Sequence, residues 1–253
     1  MRFAPMSWLA AFLFATLAVF GDDPQRVLFI GNSYTGVNKL PDVFLDVVKS
    51  SGRTAPVVKS STPGGRTLKQ QLGIAPSMKL IDEGNWDVVV LQGQSQEPAI
   101  AEKDEAARKD FLESAAELCR RVRAKSPKAV IYFYETWARH ADYWKAAKAG
   151  PDVGADPKEM QARLRKWYGI AAKENSATVV PCGDAWELNY GAPQPLRLHT
   201  KDHSHPEFAG TYLNALIFFG KIYDQKTPAP KWMGKLDEAQ AKLMQGFAAQ
   251  VLK

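Results

Sequence analysis

Short runs of β-branched and aliphatic residues alternate along the chain with longer stretches in which apolar residues recur every three or four positions. Arg26 to Ile30 (RVLFI), Val57 to Ser60, Asp87 to Leu91 (DVVVL), Ala129 to Tyr134 (AVIYFY) and Ala177 to Val180 (ATVV) read as five strands. All but the second are almost continuously apolar, which is the pattern of strands covered on both faces. Between and after them, four sets keep helical spacing: Leu40, Val43, Phe44, Val47 and Val48; Phe111, Ala115, Leu118 and Val122; Met160, Leu164, Trp167 and Ala171; and Phe208, Tyr212, Leu216 and Phe219. Pro41 falls in the first turn of the first set, Asp156, Pro157 and Glu159 form a start resembling a capping box before the third, and Pro206 opens the fourth. Strands alternating with helices predict an α/β fold, a three-layer α/β/α sandwich around a central, mostly parallel five-stranded sheet. Residues 135–156 and 183–205 are left as long connections. The tail from residue 227 carries a Pro-rich link and a last amphipathic helix.

The first twenty-one residues stand outside this alternation. Arg2 gives a positive start, the thirteen residues Trp8 to Phe20 are apolar but for Thr16, and Val19 and Gly21 are small enough for cleavage before Asp22. This predicts a secretory signal peptide at 1–21, a mature domain at 22–226 and a helical tail at 227–253 on the same domain. The apolar run falls short of the roughly 20 residues a spanning helix needs. An exported protein, periplasmic or extracellular and free of the membrane after cleavage, is therefore expected.

Composition adds exclusions more than assignments. The 253 residues are 45% hydrophobic and 24% charged, ordinary for a globular chain and unlike a disordered or fibrous one. Loss of Arg2 takes the net charge from +6 to a mildly basic +5. The dense basic stretch Arg120, Arg121, Arg123, Lys125 and Lys128 closes a predicted helix, where the dipole favours cations, and no aromatic-interleaved patch accompanies it. Nucleic acid is not an expected partner. Cys119 and Cys182 leave two readings open, a disulfide formed after export or two buried thiols.

In open α/β sheets ligands bind beyond the carboxyl ends of the strands, so polar residues directly after each strand are the places to look for chemistry. Ser33, in Gly31, Asn32, Ser33, Tyr34 and Thr35 after the first strand, presents a hydroxyl at a strand-to-helix turn, where backbone N–H groups favour negative charge. Neither a G-x-S-x-G elbow nor a phosphate loop fits these residues, and a helix cap is the competing reading of Ser33. Asp202, His203, Ser204 and His205 precede the fourth helix. An Asp and a His three residues apart can hydrogen-bond, fixing the imidazole tautomer and leaving its second nitrogen free to take a proton. Three histidines within seven residues (His199, His203, His205) raise a metal site as the rival reading, although no H-E-x-x-H or cysteine pair accompanies them. Gly64, Gly65 and Arg66 follow the second strand, and Gln92, Gly93 and Gln94 the third. Paired glycines permit close approach of a backbone N–H, and a glutamine amide is a neutral donor suited to an oxyanion.

The order of these four segments resembles the SGNH or GDSL-like esterases and lipases, in its sequences FIGNSYT, LQGQSQ and DHSHPEFAG a secreted branch of that superfamily, over residues 26 to 224. The resemblance implies Ser33 as nucleophile, His205 as base and Asp202 as its orienter, with Ser33, Gly65 and Gln94 as oxyanion donors. It implies ester hydrolysis through an acyl-enzyme with no cofactor and no metal. Two departures stand out: Asn32 where many members have Asp, and Gln94 where the third block has Asn, with Gln92 where that block has Gly. Asn32, Gln92, Trp137 and Arg139 are expected to meet the substrate. The aromatic and charged loop after the fourth strand (Glu135, Trp137, Arg139, His140, Tyr143, Trp144) suits a small-molecule or glycan ester, a short acyl or O-acetyl group on carbohydrate, better than a long acyl chain. Packing of Trp137 and Trp144 over the sheet is the plain alternative. Two further alternatives are a non-catalytic glycan-binding protein on the same fold, and a metal-dependent hydrolase using His199, Asp202, His203 and His205.

Overall fold

The computed structural model describes residues 23–146 and 150–253; the expected signal peptide lies outside the described residues. The five apolar runs form strands β1 (Arg26–Ile30), β2 (Val57–Ser61), β3 (Val88–Leu91), β4 (Val130–Tyr134) and β5 (Thr178–Val180), all parallel, in the order β2-β1-β3-β4-β5. The least apolar run, β2, is an edge strand with Val57 half exposed, whereas the central β1 and β3 are buried almost throughout. Edge position permits the polar residues of β2, although β5, the other edge strand, keeps an apolar sequence.

Side chains alternate across the sheet because successive Cβ atoms of a strand point to opposite faces. Val27, Phe29, Val88, Val90, Tyr132 and Tyr134 enter one core; Leu28, Ile30, Val89, Leu91, Ile131 and Phe133 enter the other. Among the described residues the α-helices are, in chain order, α1 (Ser33–Gly36), α2 (Leu40–Ser50), α3 (Leu68–Gln71), α4 (Ala75–Glu83), α5 (Glu97–Ile100), α6 (Glu105–Lys125), α7 (Asp142–Ala146), α8 (Pro157–Glu174), α9 (Cys182–Gly191), α10 (Phe208–Ile222) and α11 (Glu238–Val251). The first core is closed by α2, α9, α10 and α11, the second by α4, α6 and α8. The molecule is a three-layer α/β/α sandwich.

The helix starts have local causes. Asp104 and Asp156 accept the N–H groups of Ala107 and Glu159, capping α6 and α8. The Glu159 carboxylate returns to the N–H of Ala155 rather than to that of Asp156, so the expected capping box is displaced by one residue. Within the span 183–205, expected as a connection, α9 buries Ala185, Trp186 and Asn189; its polar Asp184, Glu187 and Asn189 hide the helical period. The tail helix α11 buries Ala241, Met244, Phe247 and Ala248 against the core that holds α10.

Cys119 and Cys182 are free thiols in opposite cores. Burial pushes the Cys119 thiol up to about 11, as expected where a thiolate would lose its water. The disulfide alternative is thereby excluded.

Candidate active site

The strand ends bring the four sequence segments together at one crevice. Ser33 is the first residue of α1, its preceding Asn32 capping that helix by accepting the N–H of Tyr34. Gly31 is required at the strand end, since a Cβ there would meet the Thr35 hydroxyl at 2.4 Å and the Gln92 amide oxygen at 2.7 Å.

On the opposite side of the crevice, His205 places Nε2 2.8 Å from Ser33 Oγ, while its Nδ1 lies 2.5 Å from Asp202 Oδ2. The second Asp202 oxygen accepts the Thr200 hydroxyl at 2.7 Å and the backbone N–H groups of Ser204 and His205 at 2.9 Å. Partial burial would raise the Asp202 pKa, but the bonds from His205, Thr200 and these N–H groups overcome it and hold the carboxyl well below its ordinary range. An ionised Asp202 fixes the proton of His205 on Nδ1 and leaves Nε2 as the acceptor facing the serine. The loops are also joined by Asn38, which donates to Pro206 O and Thr211 Oγ1 at 2.9 and 3.0 Å.

The three groups expected as oxyanion donors come from three segments. The backbone N–H groups of Ser33 and Gly65 have no hydrogen-bond partner among the described residues; for Ser33 this follows from its place at the start of a helix. Gly65 has φ +69°, a left-handed conformation that favours glycine. The Gln94 side-chain oxygen accepts the N–H groups of Gln96 and Glu97 at 2.7 and 3.0 Å, and this fixes the amide so that Nε2 is its free end. The longer side chain at this position is thus braced by its own carbonyl.

Asn32 and Gln92, expected to meet substrate, do not: both are buried. Asn32 Nδ2 donates to Arg66 O and Gly93 O, each at 3.1 Å, binding the first strand end to the second and third. An aspartate could make neither bond. Gln92 Oε1 accepts the Asn32 N–H and the Thr35 hydroxyl. Trp137 is likewise inside, stacked between Tyr34 (4.4 Å, 3°) and Trp186 (4.0 Å, 6°), with its indole N–H on Ser204 O at 3.0 Å. It packs the crevice wall and also lines the cavity beyond Arg139. Trp144 ties down its own loop through Gly154 O, and Glu135 is buried against Gln161.

Arg139 is 9% exposed and has no carboxylate partner among the described residues. Its guanidinium donates to the hydroxyls of Tyr34, Ser204 and Ser95. These three are sequence neighbours of Ser33, His205 and Gln94, so one side chain spans three segments of the site. Adjacency to the motif residues was the available signal for Tyr34, Ser95 and Ser204; nothing in the sequence pairs them with Arg139. A cavity of about 520 Å³ opens beyond it, lined among others by Arg139, His140, Trp186, Tyr190 and His199, and touches neither Ser33 nor His205.

The four-residue metal alternative fails on geometry. His199 lies between the Tyr190 hydroxyl (2.7 Å) and Ala138 O (3.0 Å), and burial pulls its pKa down to about 3 despite the Ala138 carbonyl. Both nitrogens of His205 are engaged as described. His199, Asp202, His203 and His205 therefore do not converge on one point.

No family model matches the sequence, and no curated protein matches it. Solved structures do match in fold. A DUF4886 family protein from Bacteroides uniformis superposes with a TM-score of 0.75 at 18% identity, over 89% of this chain and 93% of its own. An acetylxylan esterase from Geobacillus stearothermophilus, solved as a catalytic mutant, gives 0.60 at 13% identity, over 79% and 95%. A lipase/acylhydrolase from Enterococcus faecalis gives 0.59 at 15% identity, over 83% and 100%. The chain shares its fold with these three proteins.

Proposed function

We propose that the protein is a serine ester hydrolase acting through Ser33, His205 and Asp202. The observation that carries this is the continuous hydrogen-bonded line from Ser33 Oγ through the His205 ring to Asp202. His205 Nε2 takes the Ser33 proton as Oγ forms a bond to the ester carbonyl carbon, and the carbonyl oxygen becomes an oxyanion. The N–H groups of Ser33 and Gly65 and the Gln94 Nε2 receive that charge. The oxyanion re-forms the carbonyl, the bond to the leaving alcohol breaks, and His205 returns the proton to that alcohol. Water then repeats the sequence on the acyl-Ser33 ester and releases the acid. Asp202 stabilises the imidazolium formed in each half-reaction.

A short acyl group on a carbohydrate is the proposed substrate, supported by the fold shared with an acetylxylan esterase. The buried Trp137 lends this no weight. Export through residues 1–21 completes the proposal; N-terminal sequencing of secreted protein starting at Asp22 supports it, and an intact N-terminus overturns it.

Fluorophosphonate labelling of the purified chain tests the reaction. Labelling at Ser33, lost in Ser33→Ala together with turnover of 4-nitrophenyl acetate, is the expected result. Glycan affinity without labelling would establish the binding protein instead.

A further inference from the structure

His203, in the Asp202–His205 turn, takes no part in the proposed reaction. Its backbone is left-handed, φ +62°, and its Nδ1 is buried without a hydrogen-bond partner. The ring stacks on His140 with centroids 5.6 Å apart at 21°, and the His140 N–H donates to His203 O at 3.0 Å. The catalytic turn and the loop after β4 thus run side by side at this point.

A second oddity faces it. The His140 Nδ1 accepts the Asp142 backbone N–H at 3.3 Å, so it presents a lone pair, yet Asp142 Oδ2 stands 3.2 Å from the same nitrogen. Two acceptors are turned towards each other. One ligand atom from each of His140, Asp142 and His203 lies within 4.8 Å of the other two.

We propose that His140, Asp142 and His203 bind a divalent transition-metal ion, of which Zn²⁺ is the natural choice, joining the catalytic turn to the loop after β4. Two imidazoles and one carboxylate suit a borderline ion; Ca²⁺ and Mg²⁺ need several oxygen ligands that are absent among the described residues here. A bridging cation would satisfy the facing acceptors and the orphaned His203 nitrogen together. Lys145 occupies Asp142 Oδ1 at 2.8 Å, leaving Oδ2 as the ligand, and its charge with that of nearby Arg197 opposes tight binding. Affinity in the micromolar range is therefore expected rather than that of a closed structural zinc site. The ion would act on the position of the turn and takes no part in the proton transfers of Ser33.

Isothermal titration of the chelator-treated, purified chain with ZnCl2 tests this without reference to ester turnover. One saturable micromolar site is expected, with MgCl2 giving none. His203→Asn is the informative variant, because Asn tolerates a left-handed backbone; Asp142→Asn alters the first residue of the short helix α7. Each should weaken Zn²⁺ binding about tenfold or more, and Zn²⁺ should raise the Tm of the native chain but not of His203→Asn. Absence of saturable binding, or binding unchanged in both variants, would overturn the site. Either result leaves the labelling of Ser33 to decide the esterase reading separately.

Discussion

The side-chain oxygen of Gln92 accepts both the backbone N–H of Asn32 and the hydroxyl of Thr35, each at 2.9 Å, and so holds the turn that carries Ser33. Gln92→Leu leaves two buried donors without an acceptor. A loss of about 1–3 kcal/mol per unsatisfied group should appear as a lower Tm, by roughly 2–4 °C for each kcal/mol. On the proposed reaction, turnover should fall through kcat more than through KM, since the turn bearing Ser33 and not a substrate contact is displaced. Steady-state kinetics beside thermal unfolding distinguish the two; a pure KM effect would restore Gln92 to substrate binding.

Asp202 has its pKa lowered on folding, so its contribution to stability is full above its ordinary value of 3.8 and declines as acid protonates the folded state. The Tm difference between native protein and Asp202→Asn should accordingly be constant near neutrality and close on acidification. The carboxamide also leaves His205 in the wrong tautomer, and kcat should drop on the order of 10^4-fold. Circular dichroism melts over a pH series and ester assays on the same samples check both.

Glu97 behaves in the opposite sense. Burial, only partly offset by the N–H groups of Leu68 and Gln94, raises its pKa from 4.5 to about 7. The unfolded chain gives up this proton first, so stability should fall by up to about 3 kcal/mol as pH climbs from 4.5 to 7. Glu97→Gln keeps the shape, removes the titration and should flatten the Tm profile across that window. An unaltered profile would show that Glu97 is ionised in the folded protein.

Trp137→Ala empties the slot between Tyr34 and Trp186. A cost of about 3–5 kcal/mol is expected for deleting so large a buried ring. Activity on a sugar ester and on 4-nitrophenyl acetate should fall in equal proportion. A loss confined to the sugar ester would instead mark Trp137 as a carbohydrate contact.

Because Cys119 and Cys182 lie in opposite cores, reducing agent should leave the Tm unchanged. Thiol titration should find both cysteines free after unfolding in the absence of oxidant.

Hydrophobic patterning revealed the sheet and the long helices because burial on two faces writes an unbroken apolar run and burial on one writes a period. It failed at α9, where Asp184 and Glu187 pair with Arg165 across to α8 and break the stripe. Ser33, Asp202 and His205 were legible because their chemistry constrains residue type and local spacing. The roles of Asn32, Gln92 and Trp137 were not, for strand ends feed a crevice from outside and inside alike. A polar side chain there can face ligand or brace the backbone, and only the partner atoms decide. Arg139 is the extreme case, its three hydroxyl partners being scattered over 170 positions of sequence.

The amide of Asn32 gives the crevice a keystone. With Arg66 O and Gly93 O already clipped to it, the donors proposed for a tetrahedral adduct are held on a braced backbone before any ligand arrives. Little reorganisation is left for the reaction itself. Small boronic acids, which adopt that tetrahedral shape on serine, should therefore dock without an observable slow closing step.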